Sequence, residues 1–273
     1  MRERAQLAGA RRVVVKVGSS SISGENAHKI ATIVDGLAAA HARGTEVVLV
    51  SSGAIATGMP YLSLDERPVD LATQQAAAAV GQNVLIYRYQ DALRPFQIVA
   101  GQVLLTAGDL ENATHRSNAR RAMERLLGLR ILPIVNENDT VATHEIRFGD
   151  NDRLAAMVAE LIGADALVLL SDIEALYTRP PSEPGARPID TVAHDDDLSG
   201  FEFGATVVNS VGTGGAATKA SAARLAAASG IGVLVTSADL VDEALSGASI
   251  GTWFAPNPAV TPSSATAPVR TGA

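Results

Sequence analysis

A lysine inside a strand that is apolar on both sides needs a reason. One stands at position 16 in RVVVKV (Arg12–Val17), followed at once by Gly18-Ser19-Ser20-Ser21. Such a lysine can snorkel from a sheet edge. At the carboxyl end of a buried strand, beside a glycine/serine loop, it is better placed to reach a phosphate, and that reading is favoured here. A second lysine, Lys219, closes GTGGAATK (Gly212–Lys219) just before the alanine-rich stretch Ala220–Ser229. Glycines let backbone N–H groups close on an anion, and a helix N-terminus adds partial positive charge. A tight turn accounts for GTGG about as well as phosphate binding does. A third concentration is acidic and amidic: Asn136–Asp139 (NEND), then Asp150–Asp152 (DND) after Phe148-Gly149. Turns and helix caps use such residues, but seven in so short a segment exceed that need. Acids suit the ammonium group of a small zwitterion, and amides suit its carboxylate.

Other chemistries fail on the same residues. The chain has no cysteine, which removes disulfides, thiolate metal sites and cysteine nucleophiles. It has neither GxxxxGK[ST] nor a GxGxxG after the first strand. His144-Glu145 continues Ile146-Arg147-Phe148, so the zinc pair of HExxH is missing, and the five histidines show no ligand spacing. Gly247–Gly251 (GASIG) satisfies GxSxG, yet it precedes a strand and no histidine follows His194, so Ser249 is a turn residue. Asp195–Asp197 is read as a solvated helix start, where acids are favoured.

The elements that must position these residues alternate along the chain. Strands are expected at Arg12–Val17, Glu46–Val50, Gln97–Leu105, Arg130–Val135, Ala166–Ser171, Gly232–Thr236 and Ile250–Phe254. Helices are expected at Asn26–Arg43, Leu71–Leu93, Thr114–Leu127, Asp152–Ile162, Thr218–Ser229 and Leu240–Leu245. Near-continuous Val/Leu/Ile runs joined by helices predict a three-layer αβα sandwich around a mostly parallel sheet. Such sheets bind ligands beyond the carboxyl ends of their strands. KVGSSS, SSGAIATG, NENDTV and SDIEALYT all fall at that end.

The balance 22 − 29 = −7 and a pI near 5.2 argue against nucleic acid or an anionic membrane as a partner. Forty-eight alanines against ten aromatics describe an interior of small side chains in which helices lie close to the sheet. The first residues, MRERAQLAGARR, carry charge where a secretory leader needs its apolar centre, so a cytoplasmic location is expected. Residues 1–255 are read as one domain. From Pro256 to Ala273 the chain is Pro/Ala/Thr-rich without periodicity, and a disordered tail making no contact with the domain is expected.

KVGSS, VVLVSSGAIATG, QQAAAAVGQ, PIVNENDTV, FGDND, LLSDIEALYT and GTGGAATK occur in the order found in the glutamate 5-kinases of the amino acid kinase superfamily, which this sequence resembles from about Arg12 to Phe254. The resemblance implies the amino acid kinase fold and ATP-dependent phosphorylation of the γ-carboxylate of L-glutamate, the first step of proline biosynthesis. Acetylglutamate, aspartate, carbamate or UMP as acceptor, or a silent amino-acid sensor, are the rival readings. By resemblance, Lys16, Lys219 and Asp152 are catalytic, Asp152 as organiser of the lysines. Ser52, Asp139 and Asn151 bind the acceptor, while ATP meets Lys16, Ser171, Asp172, Thr213, Gly214, Gly215, Ala216, Ala217, Thr218 and Lys219. The cofactors implied are ATP and Mg²⁺, the latter with no protein ligand assigned. A homo-oligomer (dimer or tetramer) and feedback inhibition by proline are also implied. Two departures stand out: Ala216 where the family usually has methionine, and Ala175 where it usually has glycine. Many bacterial members also carry a C-terminal domain similar to RNA-modification proteins, with no counterpart expected here.

Overall fold

The computed structural model describes residues 1–141, 151–200 and 215–262. Eight strands among them form one sheet: β1 (Arg12–Val17), β2 (Glu46–Val50), β3 (Ala100–Leu105), β4 (Leu132–Glu137), β5 (Ala166–Ser171), β6 (Thr191–Val192), β7 (Gly232–Ser237) and β8 (Thr252–Phe254). Their spatial order is β3-β4-β2-β1-β5-β7-β8-β6, and every neighbouring pair is parallel except β7–β8. The helices are α1 (Lys29–Ala42), α2 (Ala54–Gly58), α3 (Leu71–Leu93), α4 (Ala107–Glu111), α5 (Ala113–Gly128), α6 (Asn151–Leu161), α7 (Ala216–Ala228) and α8 (Val241–Leu245). No helix among the described residues is long and apolar enough to cross a membrane.

Two apolar layers flank the sheet, and the two-residue period of a strand decides which side chain enters which. Val13, Val15 and Val17 of β1 pack with α1, α3 and α8, whereas Val14 packs with α5, α6 and α7. Strands β1, β5 and β7 are buried on both faces, so their runs of Val and Leu show no polar alternation. The expected three-layer αβα sandwich is therefore the observed architecture. At the amino end of the sheet, buried Arg12 binds Glu46 at 2.7 Å and Glu124 at 2.8 Å, fastening β1 to β2 and α5.

Several expectations need correction. Strand β3 begins three residues later than expected and β4 and β8 begin two later, while β8 runs antiparallel to β7. Two five-residue helices, α2 and α4, and the two-residue β6 are too short to show a period and are not among the expected elements. Asp195–Asp197 start no helix within residues 195–200. Asp196 instead accepts from Leu198 N, and Asp197 from Ser199 N, both at 2.8 Å, each closing a turn. The contact-free tail is also wrong over residues 256–262. Pro256 is buried, Asn257 N donates to Ala227 O at 2.8 Å, and the Val260 carbonyl lies over Gly230. Residues 263–273 lie outside the described residues. Ala175 keeps a negative φ, so nothing in its backbone asks for the glycine usual in the family.

Helix α2 lies so close to α3 that two glycines meet. A Cβ on Gly81 would stand 1.8 Å from Ala54 O, and one on Gly58 would stand 1.9 Å from Ala77 O. Gly81→Ala should therefore destabilise the fold by about 1–3 kcal/mol through overpacking, despite the roughly 0.5–1 kcal/mol that alanine gains in a helix. Gly128→Ala, with nothing within 4 Å, should be neutral or mildly stabilising. Urea unfolding of both variants checks the pair, and equal effects would contradict the contact.

Candidate active site

Side-chain parity brings Lys16 to the α6/α7 side of the sheet, the side of Val14. One residue from the carboxyl end of β1, its Nζ reaches Asp152 Oδ1 at 2.5 Å. Asp152 lies in the first turn of α6, and its other oxygen is 3.5 Å from Lys219 Nζ in the first turn of α7. All three side chains are less than a tenth exposed. Burial pushes the Asp152 carboxyl upward, but the charges of Lys16 and Lys219 outweigh it and hold the group below the usual carboxylate range. Among the described residues, two ammonium groups face one carboxylate in this cluster, an excess of positive charge.

The start of α7 supports the same point. Thr218 Oγ1 accepts from Gly215 N at 3.0 Å, lies 2.9 Å from Gly215 O, and stands 3.4 Å from Asp152 Oδ2. Ala216, Ala217 and Thr218 open the helix with N–H groups that lack helical partners, and Lys219 N donates the first helical bond to Gly215 O at 3.2 Å. Thr213 and Gly214 lie outside the described residues. At the end of β5, buried Ser171 donates to exposed Asp172 at 3.1 Å.

A second group lies on the opposite side of β1, where α2 and α3 cover β2 and β4. Ser52 is buried beside Gly53, whose φ of 91° lets α2 begin at once. Ser51 Oγ meets the buried Tyr89 hydroxyl at 3.0 Å and lies 3.2 Å from Ser52 O, so α3 steadies this loop. Asn136, at the end of β4, shares that side with Ile134 and meets Gln82 of α3. Beyond it a cleft of about 280 Å³ is lined by Gln82, Asn83, Gln102, Glu137, Asn138 and Asp139, among others. Asp139 is half-buried there. Loss of solvent raises its pKa to about 6, although Arg67 nearby pulls the other way. Asn151, next to Asp152, keeps a buried Oδ1 that finds no hydrogen-bond partner among the described residues.

The structure thus joins Lys16, Asp152, Thr218 and Lys219 in one contact group, and places Asp139 in a neighbouring cleft. Ser171 and Asp172 pair with each other at the end of β5. Gln82, Asn136 as a partner of α3, Tyr89 and Arg67 escaped sequence reasoning. Only Asn136 carried a signal, as part of NEND on a strand of known parity.

Residues 11–237 match the amino acid kinase family. A glutamate 5-kinase of Clavibacter sepedonicus is 73% identical over 253 residues, covering 93% of this chain and 97% of that protein. The chain belongs to the glutamate 5-kinases of the amino acid kinase family. Another glutamate 5-kinase, from Leifsonia xyli, is 70% identical and is covered over 94% of its length; one from Salinispora arenicola is 55% identical and covered over 70%. In fold, the chain resembles a carbamate kinase of Giardia lamblia bound to AMP-PNP, with a TM-score of 0.66, 15% identity, and 92% and 100% of the two chains covered. An isopentenyl phosphate kinase gives a TM-score of 0.61 at 18% identity, covering 89% and 99%. At such identities the likeness is one of amino acid kinase architecture.

Removing Asp152 leaves two buried ammonium groups facing each other. Asp152→Ala should lower stability by about 3–5 kcal/mol, the usual effect of deleting one partner of a buried ion pair. Because its folded pKa is depressed, the stability Asp152 supplies is present above the unfolded carboxyl value and lost as pH falls through the folded one. Urea midpoints from pH 7 down to pH 3 should therefore fall more steeply in the native protein than in Asp152→Ala.

Proposed function

We propose that this chain transfers the γ-phosphoryl group of ATP to the γ-carboxylate of L-glutamate, giving ADP and γ-glutamyl phosphate in proline biosynthesis. The carrying observation is the buried Lys16–Asp152–Lys219 cluster, cationic in sum, at the carboxyl end of the sheet. A glutamate side chain with a pKa of about 4.3 is ionised near neutrality, so the nucleophile needs no base. The obstacle is an anion approaching a polyanion. Fixed cations offset that repulsion and stabilise charge on the phosphoryl group in transit. Lys16 and Lys219 are assigned this role, and Asp152 is assigned to hold both at a fixed spacing.

The nucleotide is assigned to Ser171, Asp172 and the loop Thr213 to Lys219, where unpaired N–H groups at the start of α7 favour phosphate. Mg²⁺ is proposed to enter with ATP, held by phosphates and water, since no three His, Asp or Glu residues cluster as a cation cage among the described residues. It would supply further positive charge to the phosphates. The acceptor is assigned to the cleft, where Asp139 takes the ammonium, and Ser52 and Asn151 are assigned to the same ligand. Asn151 Oδ1, buried and unpartnered, fits a group waiting for a ligand. A cytoplasmic homo-oligomer subject to proline inhibition completes this reading, on the family resemblance alone.

Hydroxylamine trapping decides the acceptor class, because acyl phosphates yield hydroxamates and a phosphorylated nucleotide does not. Glutamate should give product. Product from N-acetylglutamate but not glutamate would overturn the assignment, and silence with every acceptor would favour a sensor.

Roles separate in kinetics. Lys219→Met should lower kcat by about 10²-fold or more, by analogy with losing one oxyanion donor. Asp139→Ala should chiefly raise the KM for glutamate. Asp139 must be ionised to receive an ammonium group, so the KM for glutamate should fall as pH rises through about 6. A pH profile of Asp139→Asn should lose that limb.

A further inference from the structure

Two hydrogen bonds outside the charge cluster fix the direction of a group that lines the acceptor cleft. The backbone N–H of Glu137 is a donor whatever its neighbours do, and it donates to Asn136 Oδ1 at 2.9 Å. That contact settles the carboxamide: its oxygen lies toward the backbone, and its Nδ2 is presented to α3. There Nδ2 donates to Gln82 Oε1 at 2.5 Å. With Oε1 engaged, the end of Gln82 left for the cleft is Nε2, a donor with no acceptor character. Asn136 is 1% exposed, so water does not compete for the first link, and half-buried Gln82 lines the cleft with Asp139.

We infer that Gln82 Nε2 receives the α-carboxylate of the acceptor amino acid, with Asn136 as the positioning residue that aims it. This rests on the reading of glutamate as acceptor. Ammonium and carboxylate share one carbon in an α-amino acid, so a cleft that takes the ammonium on Asp139 must offer the carboxylate a donor close by. The other amides of the cleft are less fit. Asn138 Oδ1 accepts from Thr140 Oγ1 at 2.7 Å, which also leaves its Nδ2 over, but that contact is an exposed local turn, whereas the one that holds Gln82 runs to buried Asn136. Asn83 and Gln102 are exposed, and no contact among the described residues orients either. A donor already aimed by buried partners loses little freedom when the ligand arrives. Glu137 and Asp139 also line the cleft, so a carboxylate placed anywhere but on a donor would meet like charge.

The test compares L-glutamate with 4-aminobutyrate, which keeps the reacting carboxylate and the amine but lacks the α-carboxylate. Native protein, Gln82→Met, Gln82→Glu and Arg67→Ala would be assayed for hydroxamate formation and for equilibrium binding of each acceptor by calorimetry. Gln82→Met preserves length and removes the donor. It should weaken glutamate by about 10–100-fold in KM and Kd, the span for a hydrogen bond to a charged group. Effects on 4-aminobutyrate and on the KM for ATP should stay within about twofold. Gln82→Glu, which sets a carboxylate against a carboxylate, should lose more.

Equal losses for both acceptors would make Gln82 a structural residue and overturn the inference. So would unchanged glutamate affinity in Gln82→Met, or a collapse of discrimination in Arg67→Ala alone. Native protein that binds glutamate without phosphorylating it would sink the proposed reaction, while the binding comparison still judges Gln82. Native protein that does not bind glutamate would sink both.

Discussion

Two ammonium groups and one carboxylate, all out of water, cannot be arranged freely. Burial alone would drive Asp152 toward its neutral form, and the charges of Lys16 and Lys219 beside it hold it ionised. That contact draws together the end of β1, the start of α6 and the start of α7. Strand β1 is central in the sheet, and α6 and α7 cover one face, so much of the order of the sandwich serves to bring three side chains within 3.5 Å. The excess positive charge left over is what a phosphate can satisfy. Stability and the proposed catalysis thus depend on the same balance of charge.

The other face of the sheet works with neutral groups. Tyr89 steadies Ser51, and Gln82 holds Asn136, two helical turns apart on α3 and each meeting the end of a different strand. Helix α3 in turn grips α2 through the meeting of Gly58 and Gly81, which fixes the loop carrying Ser52. Paired charges order the side proposed for phosphate, and oriented dipoles order the side proposed for the amino acid, where Asp139 adds its own charge.

Sequence reading recovered the central sheet because β1, β2, β5 and β7 each hold three or more consecutive β-branched or leucine residues, and α3 because Asp70 caps it and its length allows a period to show. It failed on α2, α4 and β6, which are shorter than any period, and on Asp195–Asp197, where local side-chain turns won over helix initiation. It misjudged Pro256–Pro262 because composition reports what a segment lacks. That segment is held by a backbone bond to Ala227 and by the space above Gly230, neither of which composition records.

For the site, the sequence by itself determined the chemistry available: a lysine on a buried strand, a lysine after a glycine turn, acids and amides at the ends of elements, and no thiol. It also set the side of the sheet that Lys16 and Asn136 would face, because strand parity follows from covalent geometry. Tertiary structure alone decided which of these groups meet. Asp152 lies 136 residues after Lys16 and 67 before Lys219 in sequence, and their contact depends on how far α6 and α7 advance over the sheet. The pairing of Gln82 with Asn136 and the raised pKa of Asp139 were equally unreadable, since desolvation and the direction of an amide are properties of surroundings, not of residue type.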